Sequence, residues 1–240
     1  MPTAGVLIIG DEILSGKIRD ENGPFLASYL RARGVDLLRM VMVGDDVPAI
    51  AADIRDMANR LDIVLTSGGI GSTHDDVTFE GVARGLGVAL TRYQPLVDRL
   101  QQQYGVEPDP SWDRMVCLPE GAEMVDDLGY PLIRIENVFV FPGVPRFLRE
   151  KVDGLVPWLG AEPPYQVHRV FLRAAEHQLS QLLMRLHAEH PEVKLGSYPK
   201  FGSEDHRVEV TVESRIAERA VEVRDAILAA VDPTWVVRVG

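Results

Sequence analysis

"LDIVLTSGGIGSTHDDVTFEGVARGLG", residues 61–87, decides the fold. Its opening, with Ile63, Val64 and Leu65 in succession, is the unbroken aliphatic run of a strand covered on both faces. Its close carries apolar side chains at helical spacing and stops at Gly87. Between the two stand Gly68, Gly69 and Gly71, a group of hydroxyls, His74, and the adjacent carboxylates Asp75 and Asp76. A strand that passes through a glycine-rich bend into a helix is one βα unit, and a mostly parallel sheet is the arrangement that repeats it.

The unit recurs upstream. "GVLIIG" (5–10) and "VDLLRMVMVG" (35–44) are further apolar strand runs, expected to be covered on both faces. In "ENGPFLASYLRARG" (21–34), Leu26, Tyr29 and Leu30 share a helical face, Asn22 is placed to cap the start, and Gly34 to end it. "VPAIAADIRDMANR" (47–60) puts Ile50, Ile54 and Met57 on one stripe, and "PLVDRLQQQYG" (95–105) adds another helix. Past residue 105 the chain is punctuated by Pro and Gly. In "YPLIRIENVFVFPG" (130–143) two β-rich runs flank Glu136-Asn137 as a hairpin, and "VPRFLREKVDGLVPWLG" (144–160) reads as a closing helix. After the linker-like "AEPPY" (161–165), the remaining runs alternate as β-α-β-β-α-β. The expectation is an α/β domain with a doubly wound, mostly parallel sheet over 1–162 and a small α+β domain over 163–240.

Composition narrows the function. With 25 Lys and Arg against 36 Asp and Glu the formal charge is −11, which argues against nucleic acid and acidic membranes as partners. The single Cys117 provides neither a disulfide framework nor a cysteine metal cluster. "AGVLIIG" (4–10) is too short for a signal sequence and no run approaches the roughly 20 apolar residues of a membrane span, so a cytoplasmic location is expected.

In doubly wound sheets ligands bind beyond the carboxyl ends of the strands, and here three polar loops follow the first three strands: "GDEILSGKIRDEN" (10–22), "GDDVP" (44–48) and "SGGIGSTHDDVT" (67–78). In the third, the glycines allow close approach of the main chain to a ligand, and amides at the following helix start favour an anion. Asp75, Asp76 and Thr78 are either helix caps or part of that site. Carboxylates beside a phosphate are compatible if a divalent cation lies between them. Asp46 is as well placed to cap the helix after Pro48 as to face the crevice, whereas Asp45 lies nearer the strand end. In the first loop Gly10, Glu12 and Ser15 are nucleotide-contact candidates, with Glu12 ranked above Lys17. Pro142 and Gly143, in "FVFPGVP" (139–145), make a turn at a strand end and join the candidates. Tyr198 and Phe201 are either local packing or a stacking platform, and His74 is either a proton shuttle or a surface residue.

In this order, "GDEILSG", "VGDDVPAI", "SGGIGSTHDDVT", "VFVFPGVP" and "LGSYP" (195–199) resemble the molybdopterin-binding-type domain that opens FAD synthases and the competence/damage-inducible protein A family. The resemblance covers nearly the whole chain, and "LGSYP" is closer to the FAD-synthase type. It implies the three-layer sandwich of molybdopterin adenylyltransferases, an oligomer (trimer or dimer), and a divalent-metal-dependent nucleotide pyrophosphatase. That activity would split FAD or ADP-ribose into AMP and the partner monophosphate, with Mg²⁺, Co²⁺ or Mn²⁺, and K⁺ as a further candidate. Asp45 and Asp76 match the family's acidic pair, which makes them the expected metal ligands and, with Asp75, the expected catalytic carboxylates. Gly68, Gly69, Gly71, Ser72 and Thr73 match its phosphate loop, with Thr78 following. Two positions depart: Ile70 stands where the adenylyltransferases have Thr, and Ser72 where relatives have Pro. The alternatives are a molybdopterin adenylyltransferase, or a non-catalytic module that binds a nucleotide or pterin. The chain ends at Gly240, with no region for the nucleotide-transferring domain of FAD synthase, so FAD synthesis is not expected.

Overall fold

A computed structural model describes residues 2–105, 110–125, 129–160 and 162–240. By internal contacts the chain divides into Met1–Glu162 and Pro163–Gly240. In the first unit the elements run β1 (Thr3–Ile9), α1 (Asp11–Leu14), α2 (Asn22–Ala32), β2 (Asp36–Val43), α3 (Val47–Arg60), β3 (Ile63–Ser67), α4 (Thr78–Leu86), β4 (Leu90–Arg92), α5 (Gln94–Tyr104), α6 (Asp113–Val116), β5 (Cys117–Pro119), β6 (Glu123–Met124), β7 (Ile133–Ile135), β8 (Val138–Phe141) and α7 (Pro145–Lys151). The main sheet has the order β2-β1-β3-β8-β7-β6. Its first four strands are parallel, and β8, β7 and β6 pair antiparallel. The β7–β8 hairpin turns at Glu136-Asn137, where Glu136 takes φ 52°.

Two apolar layers sandwich the sheet. On one face Leu7, Ile9 and Val64 pack with Ile50, Ile54 and Met57 of α3 and with Phe79 and Val82 of α4. On the other Val6, Ile8 and Leu65 pack with Leu26 and Leu30 of α2 and Leu148 of α7. This double cover is why β1 from Ala4 to Ile9 and β3 from Ile63 to Leu65 carry no polar side chain. Strand β2 departs from that expectation: Leu38, Met40 and Met42 are exposed. It lies at the sheet edge, and a bulge at Leu38 shifts its register against β1. The expected closing helix is also shorter. It ends at Lys151 and continues as a 3₁₀ segment, Val152–Trp158, that contains Pro157.

The second unit consists of β9 (Gln166–Leu172), α8 (Glu176–Glu189), β10 (Lys194–Pro199), β11 (Val208–Ser214), α9 (Ala217–Ala230) and β12 (Val236–Val239). Its antiparallel sheet has the order β10-β11-β9-β12. Val170, Leu172, Val208, Val210 and Val212 form its core with Leu179 and Leu186 of α8 and Val223 and Ile227 of α9. Among the described residues no helix is long and apolar enough to cross a membrane.

Candidate functional site

Four parallel strands end on the same side of the sheet, and the loops after β1, β2, β3 and β8 meet there. The third loop is built by carbonyls drawn inward. Gly68 (φ 109°) and Gly69 (φ 62°) hold conformations that L side chains rarely adopt. A Cβ on Gly68 would fall on the carbonyl oxygen of Ile9. Thr78, fully buried, donates its Oγ1–H to the Gly68 carbonyl at 2.8 Å and its amide to the Gly69 carbonyl at 3.0 Å. With those carbonyls satisfied, the amides of Gly69, Ile70, Gly71 and Ser72 have no hydrogen-bond partner among the described residues. Four successive free N–H groups in a glycine-rich bend are an anion-binding arrangement. Thr78 therefore shapes the loop and caps nothing, and Val77 takes the cap position of α4 without a side-chain bond.

The acidic groups flank these amides. Thr73 donates its amide to Asp76 Oδ2 at 2.8 Å, and its hydroxyl lies 2.5 Å from Asp75 Oδ1 and 2.6 Å from Asp76 Oδ2. Asp76 lies flat against the main chain of Gly71, where a Cβ would meet its carboxylate at 2.5 Å. Across the crevice Asp45 and Asp11 clasp each other: the Asp11 amide donates to Asp45 Oδ2 at 2.9 Å and the Asp45 amide to Asp11 Oδ1 at 3.3 Å. Asp46, by contrast, is a helix cap, with its Oδ1 accepting from the Ala49 amide. Glu12 folds back over Gly10, whose missing Cβ leaves room for the carboxylate, and Ser15 donates to the Glu12 carbonyl at 3.3 Å.

The two sets of carboxylates titrate differently. Burial pushes Asp45 above the usual carboxylate range, and the charges of Asp11, Glu12 and Asp75 push the same way against the bond from the Asp11 amide. Asp75 is held below that range by the Thr73 hydroxyl, helped by a backbone hydrogen bond and by His74 and Arg114. The Asp45 electrostatics thus tie the second loop to Asp75. Asp76 shares the Thr73 hydroxyl with Asp75, and its charge adds to burial in pushing the Tyr130 phenol upward. Asp45 and Asp76 share no direct contact, and among the described residues no three His, Cys, Asp or Glu side chains are grouped to hold a metal ion. The donors nonetheless suit a hard cation: all are carboxylate oxygens, and the mutual repulsion at Asp45 is what positive charge would offset.

Sequence reasoning missed two contributors, Asn22 and Arg114. Asn22, expected as the α2 cap, is instead buried, with Asp20 accepting the Asn22 and Gly23 amides in its place. Its side chain reaches Ser67 and Gly143. Arg114 of α6 brings Nη1 to 3.4 Å from the Asp76 carbonyl. No local signal marked Arg114, since its position depends on the fold between β4 and β5. Gly143 lies against Gly68, a Cβ there standing 3.1 Å from the Gly68 Cα, and Pro142 accepts from Ser67 Oγ at 3.3 Å. His74 is 94% exposed, beside Asp75. Tyr198 and Phe201 are exposed residues of the second unit.

Comparison with known proteins places this architecture. The family described as probable molybdopterin binding domain matches residues 5–161, and the FAD synthase middle domain matches residues 164–240. A probable FAD synthase of Caenorhabditis briggsae is 29% identical across 94% of this chain and 49% of its own length. Protein TK1472 of Thermococcus kodakarensis is 34% identical across 93% of this chain and 99% of its own. The crystal structure of the protein CinA, of unknown function, from Thermoplasma acidophilum superposes with a TM-score of 0.61 at 27% identity, covering 66% of this chain and 98% of that one. The chain spans about half the length of the FAD synthase relatives it matches.

Proposed function

From the premise that this chain belongs to the family of probable molybdopterin-binding domains, we propose that its first unit is a divalent-metal-dependent pyrophosphatase. Its substrates are FAD or ADP-ribose, and its products are AMP and the partner monophosphate. The observation that carries this reading is the juxtaposition of four unpaired amides, Gly69 to Ser72, with carboxylates on both sides. The amides hold non-bridging oxygens of the diphosphate, and their fixed dipoles meet the charge that grows on phosphorus-bound oxygen in the transition state. Asp45 on one side and Asp75 and Asp76 on the other would hold the cation, which screens the diphosphate charge and polarises the phosphoryl group. Arg114 adds positive charge next to Asp76. Asp45, Asp75 and Asp76 are the candidate carboxylates to take a proton from the attacking water. Water oxygen bonds to one phosphorus, the bridging oxygen leaves with the other, and each product keeps one phosphate. The test is incubation of the protein with FAD or ADP-ribose and Mg²⁺, Co²⁺ or Mn²⁺. AMP is expected, and its absence with every metal removes the reading.

One observation favours a second reading, adenylyl transfer to molybdopterin. Ile70 is 8% exposed and packs in the core beneath the loop. Replacement of the transferases' Thr at this position thus changes packing under the loop and takes no hydroxyl from the open side. Formation of adenylylated pterin from ATP and molybdopterin decides for this reading.

A further inference from the structure

We propose that Asn22 is the positioning residue of the amide cradle, fixing the glycine loop after β3 against the Pro142-Gly143 turn after β8. The side chain is 5% exposed at the start of α2. Its Nδ2 donates to the Gly143 carbonyl at 2.7 Å and to Ser67 Oγ at 2.9 Å. Because a carbonyl can only accept, the amide orientation is determined, and both Nδ2 hydrogens are used. Ser67, 1% exposed, accepts from Asn22 and passes its own hydrogen to the Pro142 carbonyl at 3.3 Å. One continuous path, Gly143 carbonyl to Asn22 to Ser67 to Pro142 carbonyl, therefore joins α2 to the ends of β3 and β8. The free amides begin two residues after Ser67, and Gly68 is wedged between this path and the backbone of Ile9.

The arrangement has a cost: Asn22 Oδ1 is buried and unpartnered, set against the two hydrogen bonds that its Nδ2 donates. Local rules broken in this way mark positions kept for geometry at a site. Seating a diphosphate on four amides requires their directions to be set in advance, and a hydrogen-bonded spacer between the flanking turns does this.

The inference rests on the pyrophosphatase reading only for its kinetic arm. The first measurement is hydrogen exchange in Asn22→Leu and Ser67→Ala, alongside thermal unfolding. Asn22→Leu leaves the Gly143 carbonyl and Ser67 Oγ without their donor and is expected to lower the midpoint. Exchange of the Gly68 and Thr73 amides, the two hydrogen-bonded N–H groups of segment 68–73, is expected to accelerate by about tenfold beyond any change elsewhere in the first unit. Ser67→Ala, which cuts two of the three links, is expected to accelerate the same two amides and decides the matter if Asn22→Leu does not fold. The kinetic arm expects KM for ADP-ribose to rise about tenfold in both variants with kcat changed less. Unchanged exchange at the Gly68 and Thr73 amides, or a rise there no larger than elsewhere in the first unit, overturns the proposal. A wild-type protein that yields no AMP overturns the pyrophosphatase reading while exchange still judges Asn22.

Discussion

Gly69→Ala tests whether inward-turned carbonyls build the cradle. At φ 62° an alanine is in the left-handed region, a cost of about 1–2 kcal/mol. Its Cβ would also stand 2.5 Å from Thr78 Oγ1, which must then release the Gly68 carbonyl, adding ~1–3 kcal/mol for a buried acceptor left unpaired. The single variant is therefore expected to lose about 2–5 kcal/mol. In a Thr78→Ala background the oxygen is already gone, so adding Gly69→Ala should cost only the backbone share, about 1–2 kcal/mol. The double-mutant cycle should thus close with a coupling of ~1–3 kcal/mol, the double variant being less damaged than the sum of the singles. Urea unfolding followed by fluorescence measures it. A Trp235→Phe background removes the one tryptophan of the second unit and leaves Trp112 and Trp158 to report on the first. Costs that add within about 0.5 kcal/mol would mean that Thr78 does not hold the loop, and the account of the free amides would fail.

Four further outcomes follow from the same geometry. Asp45→Asn keeps an acceptor for the Asp11 amide but removes a charge that burial and three acidic neighbours oppose. A folded pKa raised above the ordinary 3.8 contributes stability that is fully present below that value and lost as pH rises through the folded pKa. The variant should therefore melt higher than wild type at pH 7, with the gain shrinking toward pH 4, while AMP formation is lost; an unchanged melting temperature at pH 7 counts against the shift. Arg114→Glu should raise KM for ADP-ribose about tenfold, with kcat affected less, and equal KM values would take Arg114 out of the site. Gly81→Ala sets a Cβ on Cγ2 of fully buried Ile50 where α3 and α4 touch, and denaturant unfolding should register a loss of about 1–3 kcal/mol. Chelation should abolish AMP formation, and in calorimetry Mg²⁺ should tighten ADP-ribose by the same factor that ADP-ribose tightens Mg²⁺; affinities independent of each other would show that cation and diphosphate do not share the site.

Much of the sheet was legible because burial on both faces leaves a sequence mark. β1 and β3 show it as runs without polar interruption, and α3 shows it as the stripe Ile50, Ile54, Met57. β2 carries the same mark and yet lies half exposed, since edge position is set by strand order, which apolar content does not encode. The loops were legible as a set because strand ends imply a common side. Their internal division of labour was not. Asp75 and Asp76 are neighbours in sequence, and only the turn brings both carboxylates to the Thr73 hydroxyl while Asp76 alone also accepts the Thr73 amide. Asn22 looked like a cap because a cap and a long-range donor need the same residue type at a helix start. Its partners lie 45 and 121 positions away, a distance over which local pattern carries no information.

The signs of the groups at the crevice restrict what can bind there more sharply than any one residue does. A bare cation would satisfy Asp45 and Asp75 but leave the amides of Gly69, Ile70, Gly71 and Ser72 without acceptors. A bare anion would satisfy the amides but face Asp45, which burial raises first and the charges of Asp11, Glu12 and Asp75 raise further. A neutral ligand would answer neither set. A phosphate-bearing molecule with a divalent cation, as proposed above, would answer both sets, with amide direction set through Thr78 and negative charge brought by two loops.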